Sequence, residues 1–160
     1  MPEEIYTERL RLLPMTLGEL RRLSEKYRDD APELSRAYGE MLDSCERHPE
    51  SFLWYTPWKL CRRGDGAVVG CAGFKGLWED GRVEIGYGID KEHEGNGYAA
   101  EGAAALCRWA FSTGRAAYVE AETAPDNIAS QRVLEKIGFK AAGRTGGEGP
   151  VFILTSADRP

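Results

Sequence analysis

The sequence predicts a mixed α/β (α+β) domain: a largely antiparallel central sheet of about six to seven strands, flanked by about four helices. Three observations lead there. Between residues 52 and 90, strand-like runs are joined by short glycine turns. A strand, a glycine loop and a helix then follow one another, VEIGYGI, KEHEGNG and YAAEGAAALCRWAF. Beyond them, strand and helix patterns alternate to the end without an internal repeat, which points to a single domain over residues 1–160.

The elements follow in order. IYTERLRLLP (5–14) alternates polar and apolar residues and reads as a first strand ended by Pro14. Thr16 with Glu19 makes a capping box, and Leu17, Leu20, Leu23 and Tyr27 recur at helical spacing behind it. A second helix runs from about Pro32 to about Arg47, with His48-Pro49 ending it. FLWYTPWKLCRR reads as an aromatic strand that Pro57 makes either an edge strand or a bulged one. Gly64-Asp65-Gly66 turns the chain into AVVGCAGFKGLW, and Glu79-Asp80-Gly81 turns it again into RVEIGYGID. Residues 98–113 form a helix, AAYVEAET a short buried strand, and Asn127 to Ile137 a helix closed by Gly138. FKAAGRT and PVFILT are the last two strands, around a GGEG turn.

Composition narrows the function. The 160 residues carry 21 Lys and Arg against 26 Asp and Glu, a net charge of −5. An acidic chain lacks the many cationic contacts that nonspecific nucleic-acid binding needs, and it suits an anionic membrane surface poorly. No stretch reaches the roughly 20 apolar residues that span a bilayer, and MPEEIYTERLRLL has no apolar signal core. The expectation is a cytoplasmic protein without nucleic-acid or membrane partners. Cys45, Cys61, Cys71 and Cys107 form no CxxC pair, so no metal site is expected and the thiols read as reduced side chains.

The glycine loop carries the chemistry. A strand–loop–helix junction receives phosphate on backbone N–H groups at the helix start, with the helix dipole favouring the anion. A P-loop is excluded, because no Gly-Lys-Ser/Thr follows. Gly95, Gly97 and Ala100 satisfy the permissive dinucleotide fingerprint, with Glu120 and Glu122 downstream, which leaves a nucleotide-dependent oxidoreductase as an alternative. That fingerprint opens a parallel βαβ unit, however, whereas hairpin-linked strands precede this loop.

Glu94-Gly95-Asn96-Gly97-Tyr98-Ala99 resembles the R/Q-x-x-G-x-G/A segment of the GNAT acetyltransferases. TERLRLLPM, GCAGFKG, VEIGYGID and NIASQRVLEKIGFK resemble further segments of that family in the same order. TERL, EIGY and the Asn127–Ser130 spacing look most like the branch that includes ribosomal-protein N-terminal acetyltransferases. The resemblance implies a GNAT-like sheet and acetyl transfer from acetyl-CoA, as cosubstrate, to an amine. It places the pyrophosphate at Gly95, Asn96, Gly97, Tyr98, Ala99 and Ala100, and the pantetheine arm along Tyr87, Gly88 and Ile89, where two central strands splay apart. The N–H of Ile89 would polarise the thioester carbonyl. Asn127 would cap its helix and meet the coenzyme arm.

An ammonium acceptor must lose a proton before it attacks. Glu84 is the first candidate base, acting through a water, and Glu122 is the rival. Glu84 also reads as a sheet residue paired with Arg82 or Lys75, and Glu122 as a surface ion-pair partner. Ser130 matches the hydroxyl that could donate to the leaving thiolate, and also reads as an ordinary first-turn serine. Two positions depart from the family pattern. Glu94 stands where Arg or Gln is usual, and Leu134 stands where many members carry a tyrosine. Both features keep open a second alternative, an acyl-CoA-binding sensor without turnover. The acceptor is an amine on a peptide, protein or small molecule. Asp29, Asp30, Glu33, Glu40 and Asp43 suit a cation but read first as a solvated helix face. The late strands and the GGEG turn could support a homodimer.

Overall fold

The computed structural model describes residues 3–160. Eight strands form one sheet in the order β1-β2-β3-β4-β5-β6-β8-β7. Their ranges are β1 (Ile5–Tyr6), β2 (Leu10–Pro14), β3 (Pro57–Arg62), β4 (Val68–Leu77), β5 (Arg82–Ile89), β6 (Tyr118–Glu122), β7 (Lys140–Thr145) and β8 (Pro150–Thr155). Every neighbouring pair is antiparallel except β5 and β6, which run parallel. Four α-helices flank it: α1 (Leu17–Lys26), α2 (Pro32–Arg47), α3 (Tyr98–Ser112) and α4 (Ile128–Ile137). The parallel pair requires a crossover, and α3 supplies it.

Local chemistry sets the helix ends. Thr16 and Glu19 close a reciprocal capping box on α1. Pro32 occupies the first turn of α2, where its missing N–H leaves no bond unmade. Asn127 caps α4 through the Ser130 N–H, and Gly138 ends it with φ of 117°, a left-handed conformation that glycine adopts without steric cost.

Alternation along β5 divides the molecule. Val83 and Ile85 point into the main core, where Leu60, Leu106, Val119, Leu134 and Leu154 are fully buried beneath α3 and α4. Glu84 and Gly86 lie on the other face, the one that α2 covers. There α1 and α2 close over a second, smaller cluster around Met15, Leu20 and Cys45. Burial pushes the Cys45 thiol up to about 11 and the Cys107 thiol up to about 12, so both stay protonated at neutral pH.

Three sequence expectations change. The single strand expected over 5–14 is a hairpin: the Thr7 hydroxyl accepts the Leu10 N–H at 2.9 Å, while the Thr7 N–H reaches the Leu10 carbonyl. That local capture turns the chain and accounts for the eighth strand, one more than expected. Pro49–Trp54 forms 3-10 turns instead of strand, with Trp54 3% exposed; its aromatic content reports burial. Pro57 is the first residue of β3, where its missing N–H interrupts no pairing. Of the two readings of Pro57, the edge strand is overturned, because β3 lies between β2 and β4. The bulge is found, at Leu60/Cys61.

Candidate active site

The site begins where the sheet parts. β5 pairs with β6 through Arg82↔Tyr118, Val83↔Val119 and Glu84↔Glu120, and no further. Beyond Glu120, β6 stays with β8, and beyond Glu84, β5 stays with β4. Among the described residues, no strand pairs with the edge of residues 85–89 that faces β6. Asp90 donates its N–H to Val69 on the β4 side. Backbone groups alternate along a strand, so the N–H groups of Ile89 and Tyr87 face the open edge. Tyr87, Gly88 and Ile89 are thus available for a ligand that lies beside β5 as an added strand.

A cavity opens on each side of this edge. One, of about 470 Å³, is lined by Tyr87, Gly88, Ile89, the loop from His93 to Ala100, and Asn127, Ala129, Ser130 and Val133. All the residues that the resemblance assigned to the coenzyme line this one cavity. The other, of about 450 Å³, lies under α2 and is lined by Glu40, Met41, Tyr55, Phe74, Lys75, Gly86 and Tyr87, among others. Tyr87 belongs to both.

The glycine loop is held from outside. Gly95 and Gly97 have φ of 81° and 79°, which favours glycine at both. Asn96 Nδ2 donates to the His93 carbonyl at 3.0 Å. Among the described residues no side chain caps α3 at Gly97, in contrast to α1 and α4. Tyr98 is 8% exposed and packs into the core. Glu94 is exposed and lines the cavity. Arg9, from the β1–β2 turn, bonds the Asn96 carbonyl at 2.8 Å and Glu101 at 2.7 Å. Sequence reading missed Arg9, because its partners lie about ninety residues away. Burial alone would raise the Glu101 carboxyl. Hydrogen bonds from Thr7 and Arg9 outweigh that and hold it below its ordinary value.

A hydroxyl pair crosses the gap. Tyr87 Oη lies 2.9 Å from Ser130 Oγ, and the Tyr87 hydroxyl also reaches the Ser130 carbonyl at 3.2 Å. Burial raises the Tyr87 phenol, against a weaker opposing effect of the Ser130 bond. Leu134 is fully buried in the core and contributes nothing polar here. The sequence assigns Tyr87 a backbone role only, so its phenol is a second feature that sequence reading missed.

The carboxylates separate by environment. Glu84 takes the Lys75 ammonium at 2.6 Å on the α2 side. Burial would lower Lys75, but the carboxylates of Glu84, Glu148 and Glu122 hold it above its ordinary value. Glu122 accepts the Glu148 N–H at 3.0 Å and so braces the β7–β8 turn. Glu120, 4% exposed, is paired with Arg144 and, at 3.8 Å, with Arg82.

Known proteins resemble this chain in sequence and in fold. Residues 9–140 match the model of the acetyltransferase (GNAT) domain family. The chain is 30% identical over 150 residues to the uncharacterized N-acetyltransferase YoaA of Bacillus subtilis (strain 168), covering 87% of this chain and 84% of that protein. It is 36% identical over 86 residues to the uncharacterized N-acetyltransferase YjdG of the same organism, covering 53% of this chain and 51% of YjdG, about half that relative's length. Among solved structures, RimL, a ribosomal L7/L12 alpha-N-protein acetyltransferase in complex with coenzyme A, superposes with a TM-score of 0.73 at 16% identity, covering 96% of this chain and 98% of that one. At that identity the likeness shows the fold.

Proposed function

Because the chain belongs to the GNAT acetyltransferase family, we propose that it moves the acetyl group of acetyl-CoA to a primary amine by direct attack of the amine on the thioester. One observation carries this reading: the β5 edge is open between two cavities on opposite sides that share Tyr87. Coenzyme enters from the α3–α4 side and the amine from the α2 side, and the acetyl carbon sits between them. The N–H of Ile89 faces the open edge and receives the oxyanion as the tetrahedral intermediate forms.

Glu84 is the base. It lies on the amine side, next to the cleft that Lys75 and Gly86 line, and takes the ammonium proton through a water. Glu122 is the alternative base, but its carboxylate already holds the Glu148 backbone. On the coenzyme side, the Ser130 hydroxyl donates toward the leaving thiolate, and Tyr87 steadies it. The resemblance to ribosomal-protein acetyltransferases, together with RimL among the structural neighbours, favours a peptide or protein N-terminal amine as acceptor, with small-molecule amines next.

The test is release of free thiol from acetyl-CoA against a panel of peptide N-termini and small primary amines, with acetylation read by mass. Amine-dependent thiol release is expected. Tight acetyl-CoA binding with no turnover on any amine would overturn the transferase reading in favour of a binding protein.

A further inference from the structure

From residue 92 to residue 107 the chain contains no Lys or Arg, and Glu92, Glu94 and Glu101 all lie in that stretch. A loop that is to meet a pyrophosphate must therefore work through its backbone, and its carbonyl groups must be turned away from the ligand. The Asn96 carbonyl is accounted for by a residue remote in sequence. Arg9 Nη1 donates to it at 2.8 Å, and Arg9 Nε holds Glu101 at 2.7 Å. The guanidinium lies over the Tyr98 ring, 4.7 Å from its centroid. Its Nη2 is 3.4 Å from the point where a Cβ on Gly97 would stand. The Arg9 backbone N–H and the Thr7 hydroxyl also bond Glu101, so the arginine is anchored at both ends.

Resting on the acetyl-CoA reading above, we propose that Arg9 is a positioning residue for the coenzyme's pyrophosphate. It draws the Asn96 carbonyl to the rear of the loop and leaves the loop N–H groups to face the phosphates. A planar fork with several donors can hold Glu101 and Asn96 together, whereas a lysine ammonium on its flexible stem cannot present that geometry. Arg9 is absent from the lining of the coenzyme cavity, so its effect passes through the loop and not through contact with the ligand.

The experiment is calorimetric titration of the unmodified protein, Arg9→Ala and Arg9→Lys with acetyl-CoA and, separately, with acetyl-pantetheine, which has the thioester arm but no pyrophosphate. Arg9→Lys keeps a cation beside Glu101 and guards against loss of the fold, which thermal melting would register. Both variants are expected to lose about tenfold or more in acetyl-CoA affinity, with acetyl-pantetheine affinity changed less than about twofold. Equal loss for both ligands would overturn the proposal by making Arg9 a general support of the fold. Unchanged acetyl-CoA affinity in both variants would overturn it as well. If the unmodified protein binds acetyl-pantetheine and acetyl-CoA equally, the loop holds no pyrophosphate and the proposal falls. If it binds neither, the coenzyme reading falls first and this one with it.

Discussion

Gly70→Ala tests the link between the sheet and the proposed coenzyme edge. Gly70 is buried in β4 and faces Ile89 across the pair. A Cβ there would lie well inside contact distance of the Gly88 carbonyl oxygen and 2.9 Å from Ile89 Cα, and both obstacles are backbone. Relief requires β5 to move on the order of 1 Å at the residues proposed to hold the pantetheine arm, in an interior packed too densely to absorb such a shift freely. Overpacking of this kind costs about 1–3 kcal/mol, offset by up to about 1 kcal/mol for removing a glycine from the unfolded chain. For a domain of this length, each kcal/mol moves Tm by about 2–4 °C, so a mid-range net cost of about 1–2 kcal/mol predicts a fall of about 2–8 °C. Losing one backbone hydrogen bond to the ligand, about 0.5–1.5 kcal/mol, lowers acetyl-CoA affinity roughly threefold to tenfold. The assay is thermal melting with calorimetric titration, and Gly64→Ala, with open space around it, serves as control. A Gly70→Ala protein with unchanged Tm and unchanged affinity would refute the idea that β4 sets the position of the β5 edge.

Three further outcomes are expected. Glu84→Gln should slow amine-dependent thiol release about a hundredfold or more and flatten its pH dependence, while acetyl-CoA affinity holds, because Glu84 faces the amine side; undiminished turnover would remove it as the base. Tyr87→Phe should lower kcat several-fold with little change in coenzyme affinity, since it deletes only the hydroxyl that meets Ser130; lost affinity with an intact kcat would make the phenol a binding group instead. The depressed carboxyl of Glu101 contributes stability above its unfolded value, 4.5, and loses it as pH falls through the lower folded value. Glu101→Gln should therefore show a shallower fall in Tm on acidification than the unmodified protein, measured by melting between about pH 5 and pH 3; parallel curves would contradict the clamp that Thr7 and Arg9 make.

Much of the molecule is written in short stretches of sequence. The Thr16–Glu19 box, the Asn127 cap, the Gly138 stop and the turns at 64–66 and 79–81 each depend on residues within a few positions, so local chemistry determines them. The same holds for the left-handed glycines at 95 and 97 and for the family segments around them. Misreadings arose where a distant partner or a burial demand overrode the local pattern. Thr7 bends the first strand while its hydroxyl meets Glu101. The aromatic run at 52–55 winds into 3-10 turns, and its Leu53 carbonyl accepts the Trp58 indole N–H. Tertiary structure alone decided three features of the candidate site: the last pair, Glu84 with Glu120, at which β5 and β6 part, the Arg9 hold on Asn96, and the meeting of Tyr87 with Ser130. The physical reason is common to all three. Side-chain alternation tells which face a residue takes, but pairing across a sheet or a gap depends on what the rest of the chain brings there.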